Sequence, residues 1–96
     1  MKDQEIIDAY KEAGLFHIAS DTTLTPFKLA ILSDLAISEM TKEFSFSLDN
    51  DDDDWAVHLM TRDNFSGIEL DFIAKTRHEV ILKAYQWYRG RDNDKE

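Results

Sequence analysis

The sequence lacks cysteine, has fewer basic than acidic residues and has no long apolar run. Without cysteine there is no disulfide bond, no thiolate metal site and no cysteine nucleophile. A bilayer-spanning helix needs roughly 20 consecutive apolar residues, and no run comes near that length. The opening segment, MKDQEIIDAY, is polar and acidic, which is not the pattern of a secretory signal, so we expect a cytoplasmic protein.

The charge of the chain is strongly one-sided. Eleven lysines and arginines stand against 20 aspartates and glutamates, which gives a formal net charge of −9. This charge repels phosphate backbones and anionic membranes, so we expect no direct binding to nucleic acid and none to membranes. It favours a partner with a basic surface, although solubility alone also accounts for such a charge.

The remaining composition is that of one small folded domain. The chain has 96 residues, 43% of them apolar, which is ordinary for a globular domain with a modest core. Six phenylalanines, two tryptophans and three tyrosines supply much of that core, since each buried aromatic side chain removes roughly 150–250 Å² from water. We expect a single domain over 1–96, consisting of an N-terminal helix and loop (1–24), a core (25–90) and a frayed tail (91–96).

A short helix is predicted near the start of the chain. Apolar residues recur at helical spacing from Asp3 to about Ala13, and Gly14 is a natural stop. The segment that follows, 15–24, is ambiguous between a loop and a short strand, and a loop is favoured.

A longer helix is predicted from Thr25, an N-cap candidate, to about Lys42, with Pro26 in the first helical position. Its apolar residues form two adjacent stripes, one of Phe27, Ile31 and Leu35 and the other of Leu29, Leu32, Ala36 and Met40. Together the stripes predict a broad apolar face that is buried against the rest of the domain.

From Phe44 onward the apolar period changes from 3.6 to 2, which is the alternation of a strand. Three segments share it, namely FSFSL, WAVHLM and IELDF. Their connections, DNDDDD and TRDNFSG, are short and polar as hairpins require, and Gly67 is free to take a positive φ. We therefore predict an antiparallel meander with one apolar face. Its polar face carries Ser45, Ser47, His58, Glu69 and Asp71.

The last helix begins with Thr76 and Glu79, which have the spacing of a capping box. Its buried stripe consists of Val80, Ile81, Ala84, Tyr85 and Tyr88. Gly90 is expected to end the helix. The predicted fold class is α+β in the order α-α-β-β-β-α. It has two layers, a three-stranded antiparallel meander and the two long helices packed on its apolar face.

This order of elements resembles the phage ABA-sandwich domain, a family of small phage and prophage proteins. The matching segments lie within 26–90 and are FSFSL, DDDDWAVHL, IELDF and TRHEVILKAYQWY. The N-terminal helix and the FHIASDTT segment depart from the family pattern, and the glycine that often precedes its tryptophan is missing here. The resemblance implies an α+β fold and a phage or prophage origin, and it implies no activity.

An aspartate-rich segment, SLDNDDDDW, is the most unusual feature of the chain. It holds Asp49, Asp51, Asp52, Asp53 and Asp54. An EF-hand loop starting at Asp49 would need glycine in place of Asp54 and glutamate in place of Met60, so the calcium-binding pattern fails. Asp51, Asp52 and Asp54 could gather a hydrated divalent cation only weakly, because like charges in a solvated turn stay apart. A solvated hairpin tip is favoured, and we predict no metal and no cofactor.

No catalytic motif is present in the sequence, which has no phosphate-binding glycine-rich loop, zinc-protease motif or nucleophile elbow. His17, His58 and His78 are expected on a loop, on the polar sheet face and in the first turn of a helix. If the strand register brings His58 next to Glu69 or Asp71, the pair still lacks a nucleophile and a pocket, so we expect no enzyme. His78 is expected to be neutral, because it lies near the positive end of its helix.

The segment YQWYRGR interleaves aromatic residues with arginine, as nucleic-acid-binding proteins do. Tyr85 and Tyr88, however, belong to the apolar stripe of the helix, and core packing is favoured. Trp87 lies off that stripe, where exposure would mark a surface for a protein partner.

Two functions from different classes fit these patterns. The favoured one is a non-enzymatic interaction module that docks a host or phage protein with a basic surface. Its candidate surface consists of Asp49, Asp51, Asp52, Asp53, Asp54, Glu69 and Asp71, with Trp87 as a further candidate contact. The alternative is a small self-associating assembly module with Met60, Phe65 and Ile73 on an exposed strand region.

Overall fold

A computed structural model of the chain describes residues 2–15, 25–61 and 69–93, with side chains described as far as Gly90. The elements are α1 (Asp3–Glu12), α2 (Thr25–Met40), β1 (Phe44–Asp51), β2 (Asp54–Thr61), β3 (Glu69–Ala74) and α3 (Arg77–Asn93). The strands form one antiparallel sheet in the order β1-β2-β3, and the helices pack against it. The predicted α+β class and the order α-α-β-β-β-α are confirmed.

Some sequence predictions lie outside the described residues. They are the loop after Leu15, the position of His17, the turn at Gly67, the exposure of Phe65 and the pairing of Ile68.

The helical layer has three members, of which α3 lies on β2 and β3. Helix α2 contacts α3 and reaches the sheet at β1, while α1 contacts the other two helices. Tyr10 of α1 is fully buried, and its ring centroid lies 6.1 Å from that of Tyr85 on α3. Val57 and Leu59 of β2 are also fully buried and belong to the same core. Helix α1 is therefore part of the core that joins the helices to the sheet.

Helix α1 ends where predicted, in a Schellman motif at Gly14. The N–H of Gly14 donates to the carbonyl of Lys11 and the N–H of Leu15 to that of Tyr10, each at 3.0 Å. Gly14 has a φ of +101°, and a Cβ there would lie 2.8 Å from Nη2 of Arg89. Both the backbone conformation and the close approach of α3 therefore require glycine.

Only one of the two apolar stripes of α2 is buried. The buried side carries Leu29, Leu32, Ser33, Ala36 and Met40. Phe27 and Leu35 of the other stripe are 61% and 37% exposed, so the prediction that both stripes are buried is wrong. The reason is that α2 packs chiefly against α1 and α3, and it touches the sheet only at β1. The helix ends at Met40, two residues before the predicted end at Lys42.

The aspartate-rich segment is mostly strand. Asp51 pairs with Asp54, so only Asp52 and Asp53 form the turn. Asp52 takes a φ of 42°, which aspartate tolerates better than most residues. The prediction of a connection spanning all of DNDDDD is therefore wrong. The turn has only two residues, so the pairing of β1 and β2 continues as far as Asp51 and Asp54.

Helix α3 begins as predicted and ends later. The N–H of Glu79 donates to Oγ1 of Thr76 at 3.2 Å, which confirms the threonine cap. The prediction that the helix ends at Gly90 is wrong, because α3 continues to Asn93. A Cβ at Gly90 would meet nothing within 4 Å, so neither backbone conformation nor packing requires glycine there.

No helix among the described residues is long and apolar enough to cross a bilayer.

Candidate functional site

The three helices leave one face of the sheet uncovered by any described element, and we call it the outer face. Because side chains alternate along a strand, odd-numbered residues of β1 and β3 share this face with even-numbered residues of β2. Its cross-strand rows are Ser45–Met60–Glu69, Ser47–His58–Asp71, Asp49–Ala56–Ile73 and Asp51–Asp54. The polar face predicted from the sequence is this one.

His58 lies at the centre of the outer face, between carboxylates from the two neighbouring strands. Its Nδ1 contacts Oδ1 of Asp71, the residue directly opposite it on β3. Its Nε2 lies 3.4 Å from Oδ2 of Asp49, which is one row away on β1. The register therefore selects Asp71, and not Glu69, as the cross-strand neighbour of His58.

This placement favours the protonated form of the imidazole. A neutral imidazole has one N–H donor, whereas the imidazolium has two, so only the protonated ring donates towards both Asp71 and Asp49. The hydrogen bond that the ring donates to Asp71 and the charges of both carboxylates raise the pKa of His58 above its usual value of about 6.5, against a smaller opposing effect of desolvation. The side chain is 39% exposed, so water and salt screen part of this attraction.

The turn end of the outer face is the most acidic part of the described surface. Asp51, Asp52 and Asp53 are all exposed. Asp54 is paired with Lys75, whose Nζ lies 2.9 Å from Oδ1 of the carboxylate. Glu69 is exposed at the opposite end of the face, in the row of Met60. The candidate acidic residues thus extend along the whole face, with a dense cluster at the turn.

Metal binding requires donors that converge on one point, and the outer face does not supply it. Asp49 and Asp71 contact different nitrogens of His58, so their oxygens lie on opposite sides of the ring. Within the described side chains, those of residues 2–15, 25–61 and 69–90, there is no group of three or more histidine and carboxylate side chains placed to hold a metal ion.

Trp87 lies away from the outer face. Its ring lies edge-on to the ring of Phe44, with 5.6 Å between the ring centroids, and is tilted against the ring of Phe72, with 6.3 Å between centroids. Trp87 therefore packs between α3 and the sheet. It is half-buried there. The exposed apolar side chains on the outer face are instead Met60 and Ile73, which are 47% and 58% exposed.

The helical layer contains polar contacts that the sequence analysis did not predict. The hydroxyl of Tyr85 donates to Oε2 of Glu39 at 2.8 Å, and Nη1 of Arg89 donates to Oε1 at 2.9 Å. Nε of Arg89 also donates to the carbonyl of Ala13 at 3.1 Å, which ties α1, α2 and α3 together. Burial and the Glu39 carboxylate raise the pKa of Tyr85. No local spacing signals this network, because its members are far apart in the sequence.

A groove of about 470 Å³ lies between α1 and α3, lined by residues that include Gly14, Gln86 and Arg89. His58 and its two carboxylates are not among the lining residues. The side chains of His58 and Asp71 are 39% and 59% exposed, so their contact lies on an open surface.

The second histidine with a shifted pKa is His78, in the first turn of α3. Its Nδ1 lies 3.0 Å from Oγ of Ser33, which is fully buried. Burial, and secondarily the positive charge of Arg77, lower the pKa of His78. The predicted neutral His78 is confirmed, with burial rather than the end of the helix as the main cause.

Comparisons of the chain with protein-family models, with curated proteins and with solved structures found no match. The resemblance to the phage ABA-sandwich domain rests on the segments quoted above and remains a prediction. The function is therefore argued from the outer face.

Proposed function

We propose that this protein is a non-enzymatic cytoplasmic interaction module that docks a basic surface of another protein on its outer face. The observation that carries the proposal is the gathering of carboxylates on the one sheet face that no described helix covers. Asp49, Asp51, Asp54, Glu69 and Asp71 lie on this face, and Asp52 and Asp53 lie in the turn at its end. The resemblance to the phage family adds that the partner belongs to a phage or to its host.

Charge complementarity supports a basic partner. The whole chain carries a formal net charge of −9, and two basic side chains on or beside the outer face, His58 and Lys75, are already paired with carboxylates. A lysine- or arginine-rich surface would replace solvent counterions there, and the attraction would accelerate its encounter with the protein.

The shape of the site suits a protein surface better than a small molecule. Small-molecule sites are concave and enclose their ligand, whereas the outer face is an open three-stranded surface. Met60 and Ile73 add exposed apolar area among the carboxylates. The aliphatic stems of lysine and arginine could pack on them while their charged groups reach the aspartates.

Binding rather than catalysis is also supported by the surroundings of His58. Both ring nitrogens are directed at carboxylates, so neither is positioned to take a proton from a nucleophile. The contact is on an open face, where water is not excluded.

Self-association is the second candidate function, and the exposure of Met60 and Ile73 favours it. Two copies meeting through the outer face would bring their carboxylates together, and this repulsion opposes the contact. Sedimentation at increasing protein concentration separates the two functions, because assembly requires a concentration-dependent oligomer and docking does not.

The proposal is tested with octalysine, a defined basic peptide, and two variants of equal charge. The turn variant Asp51→Asn/Asp52→Asn/Asp53→Asn and the control variant Glu5→Gln/Asp8→Asn/Glu12→Gln each lose three negative charges, so the net charge of both changes from −9 to −6. The control residues are exposed on α1, in the helical layer.

Wild type is expected to bind octalysine at low salt and to lose affinity as salt rises. The turn variant should bind about three- to tenfold more weakly than the control variant, because each exposed ion pair contributes about 0.2–1 kcal/mol. Equal affinities of the two variants would mean that the peptide responds only to net charge. That result, or binding that salt does not weaken, contradicts the proposal.

A further inference from the structure

His58 bridges the outer face through its two nitrogens. Nδ1 contacts the Asp71 carboxylate on β3, and Nε2 faces the Asp49 carboxylate on β1, so one ring on the middle strand joins all three strands. An imidazolium satisfies both contacts, whereas a neutral ring leaves one nitrogen lone pair facing a carboxylate. Loss of the proton therefore turns one attractive contact into a repulsive one.

We propose that His58, held between Asp49 and Asp71, makes the docking of a basic partner depend on proton concentration, with tighter binding as the pH rises. This inference rests on the proposed function, since it concerns regulation of the same face. With the proton present, the ring occupies the two carboxylates that a basic partner needs. Without it, a lysine or arginine of the partner takes over the contact with Asp49 or Asp71.

The charged groups nearest His58 are the two carboxylates that a basic partner would contact. On β1 the charged residue facing the ring is Asp49, beside the uncharged Ser47, and on β3 it is Asp71. The outer-face neighbours of His58 along β2 are Ala56 and Met60, which do not titrate. Beyond them Glu69 lies one row from Asp71. On the other side of Asp71, Nζ of Lys83 from α3 donates to the carbonyl of Ile73 at 2.8 Å. The turn end carries Asp51, Asp52, Asp53 and Asp54, with Lys75 paired to Asp54. The helices lie on the opposite side of the sheet, with α3 against β2 and β3.

The proton is released at a higher pH than that of an ordinary histidine. The hydrogen bond to Asp71 and the charges of the two carboxylates raise the pKa of His58 above its usual value of about 6.5. Reciprocity requires that a partner which prefers the neutral ring also lowers the pKa of that ring when it binds. The affinity for the partner and the pKa of His58 therefore measure the same coupling free energy.

The test measures octalysine affinity between about pH 5.5 and about pH 8.5 at constant ionic strength, a range in which lysine, with a pKa of about 10.4, stays charged. Wild type should bind about two- to fivefold more tightly at the high end, because one exposed charge is worth about 0.2–1 kcal/mol. His58→Gln removes the titrating group and keeps His17 and His78. Its affinity should not vary with pH and should match that of wild type at high pH.

The outcomes separate this inference from the function on which it rests. If octalysine binds wild type at no pH, the proposed function fails, and the inference fails with it. If octalysine binds with an affinity that does not vary with pH, or if His58→Gln keeps the pH dependence of wild type, the docking function stands and the inference is overturned. In a second readout, nuclear magnetic resonance of the His58 ring should show a lower pKa in saturating octalysine, and an unchanged pKa overturns the inference as well.

Discussion

At the scale of single residues, His58 and His78 show how surroundings set the charge of one side-chain type. His58 lies between two carboxylates on an open face, which raises its pKa, with the hydrogen bond that the ring donates to Asp71 as the main cause. His78 is buried beside Ser33 and near Arg77, and burial lowers its pKa. The two histidines therefore make the stability of the fold depend on pH in opposite directions.

The contribution of His58 to stability is expected to decrease as the pH rises. A group whose pKa is raised by folding stabilises the folded state fully below its unfolded pKa, here about 6.5, and this stabilisation is lost as the pH rises through the higher folded pKa. The difference in free energy of unfolding between wild type and His58→Gln should be largest below about pH 6.5 and should shrink above it. Urea unfolding at a series of pH values measures this difference, and a difference that stays constant contradicts the assigned contacts.

This trend is opposite in sign to the one proposed for docking. The proton that joins His58 to Asp49 and Asp71 stabilises the fold, and the same proton competes with a basic partner. At low pH we therefore expect octalysine to bind weakly while His58 stabilises the fold most strongly. Unfolding that breaks the contacts of His58 with Asp49 and Asp71 would then not explain the weak binding.

At the scale of secondary-structure elements, two glycines in similar sequence contexts have different roles. Gly14 follows α1 with a positive φ and lies against Arg89, whereas Gly90 lies inside α3 with open space beside it. The sequence suggests a helix stop at both positions, and only the structure distinguishes them.

Alanine at these two glycines is expected to change stability in opposite directions. Gly14→Ala should lower the free energy of unfolding by at least about 1–2 kcal/mol, because a left-handed backbone disfavours a Cβ and Arg89 must move. Gly90→Ala should raise it by about 0.4–1 kcal/mol, because alanine is the better residue inside a helix. Urea unfolding of both variants checks the pair. A destabilising Gly90→Ala would mean that α3 does not continue through this position.

At the scale of the whole molecule, the domain is flat, with principal extents of 45 × 37 × 18 Å. A sheet covered by helices on one side accounts for the short dimension, and the outer face is one of the broad surfaces of this shape. A flat, acidic and largely open surface is suited to contact with another macromolecule.

The integration of α1 into the core is tested by comparing two aromatic residues. Tyr10 on α1 is fully buried against the other helices, whereas Phe27 on α2 is 61% exposed. Tyr10→Ala should lower the free energy of unfolding by about 3–5 kcal/mol, the usual loss for a large buried aromatic side chain. Phe27→Ala should change it by less than about 0.5 kcal/mol. If denaturant unfolding gives similar losses for both, α1 and α2 are not packed as described.

Most of the fold could be predicted from the sequence, because the period of the apolar residues reflects which face of an element is covered. The change of period at Phe44 is enough to separate the helices from the meander, and Thr76 marks the start of the last helix. The period does not state how a helix is rotated about its axis. It therefore could not show that Leu29 is buried while Phe27, two residues earlier, is exposed.

The candidate site could be predicted only in part, for a related reason. Alternation places His58, Glu69 and Asp71 on one face, but the neighbour of His58 depends on the strand register. On the β1 side of His58, whether Asp49 lies near the ring depends on the length of the turn at Asp52. A run of identical aspartates does not show where that turn begins and ends. Contacts such as Ser33 with His78 join residues 45 positions apart and have no local signal.

The docking role of the outer face is tested most directly by a map of octalysine contacts from nuclear magnetic resonance of the backbone amides. We expect the shifts to concentrate on the outer face and its turn, at Ser47, Asp49, Asp52, His58 and Asp71. The exposed residues of α1, including Glu5 and Asp8, should change little although they are also acidic. Shifts spread equally over α1 and the sheet, or confined to α1, would contradict the assignment of the outer face as the docking surface.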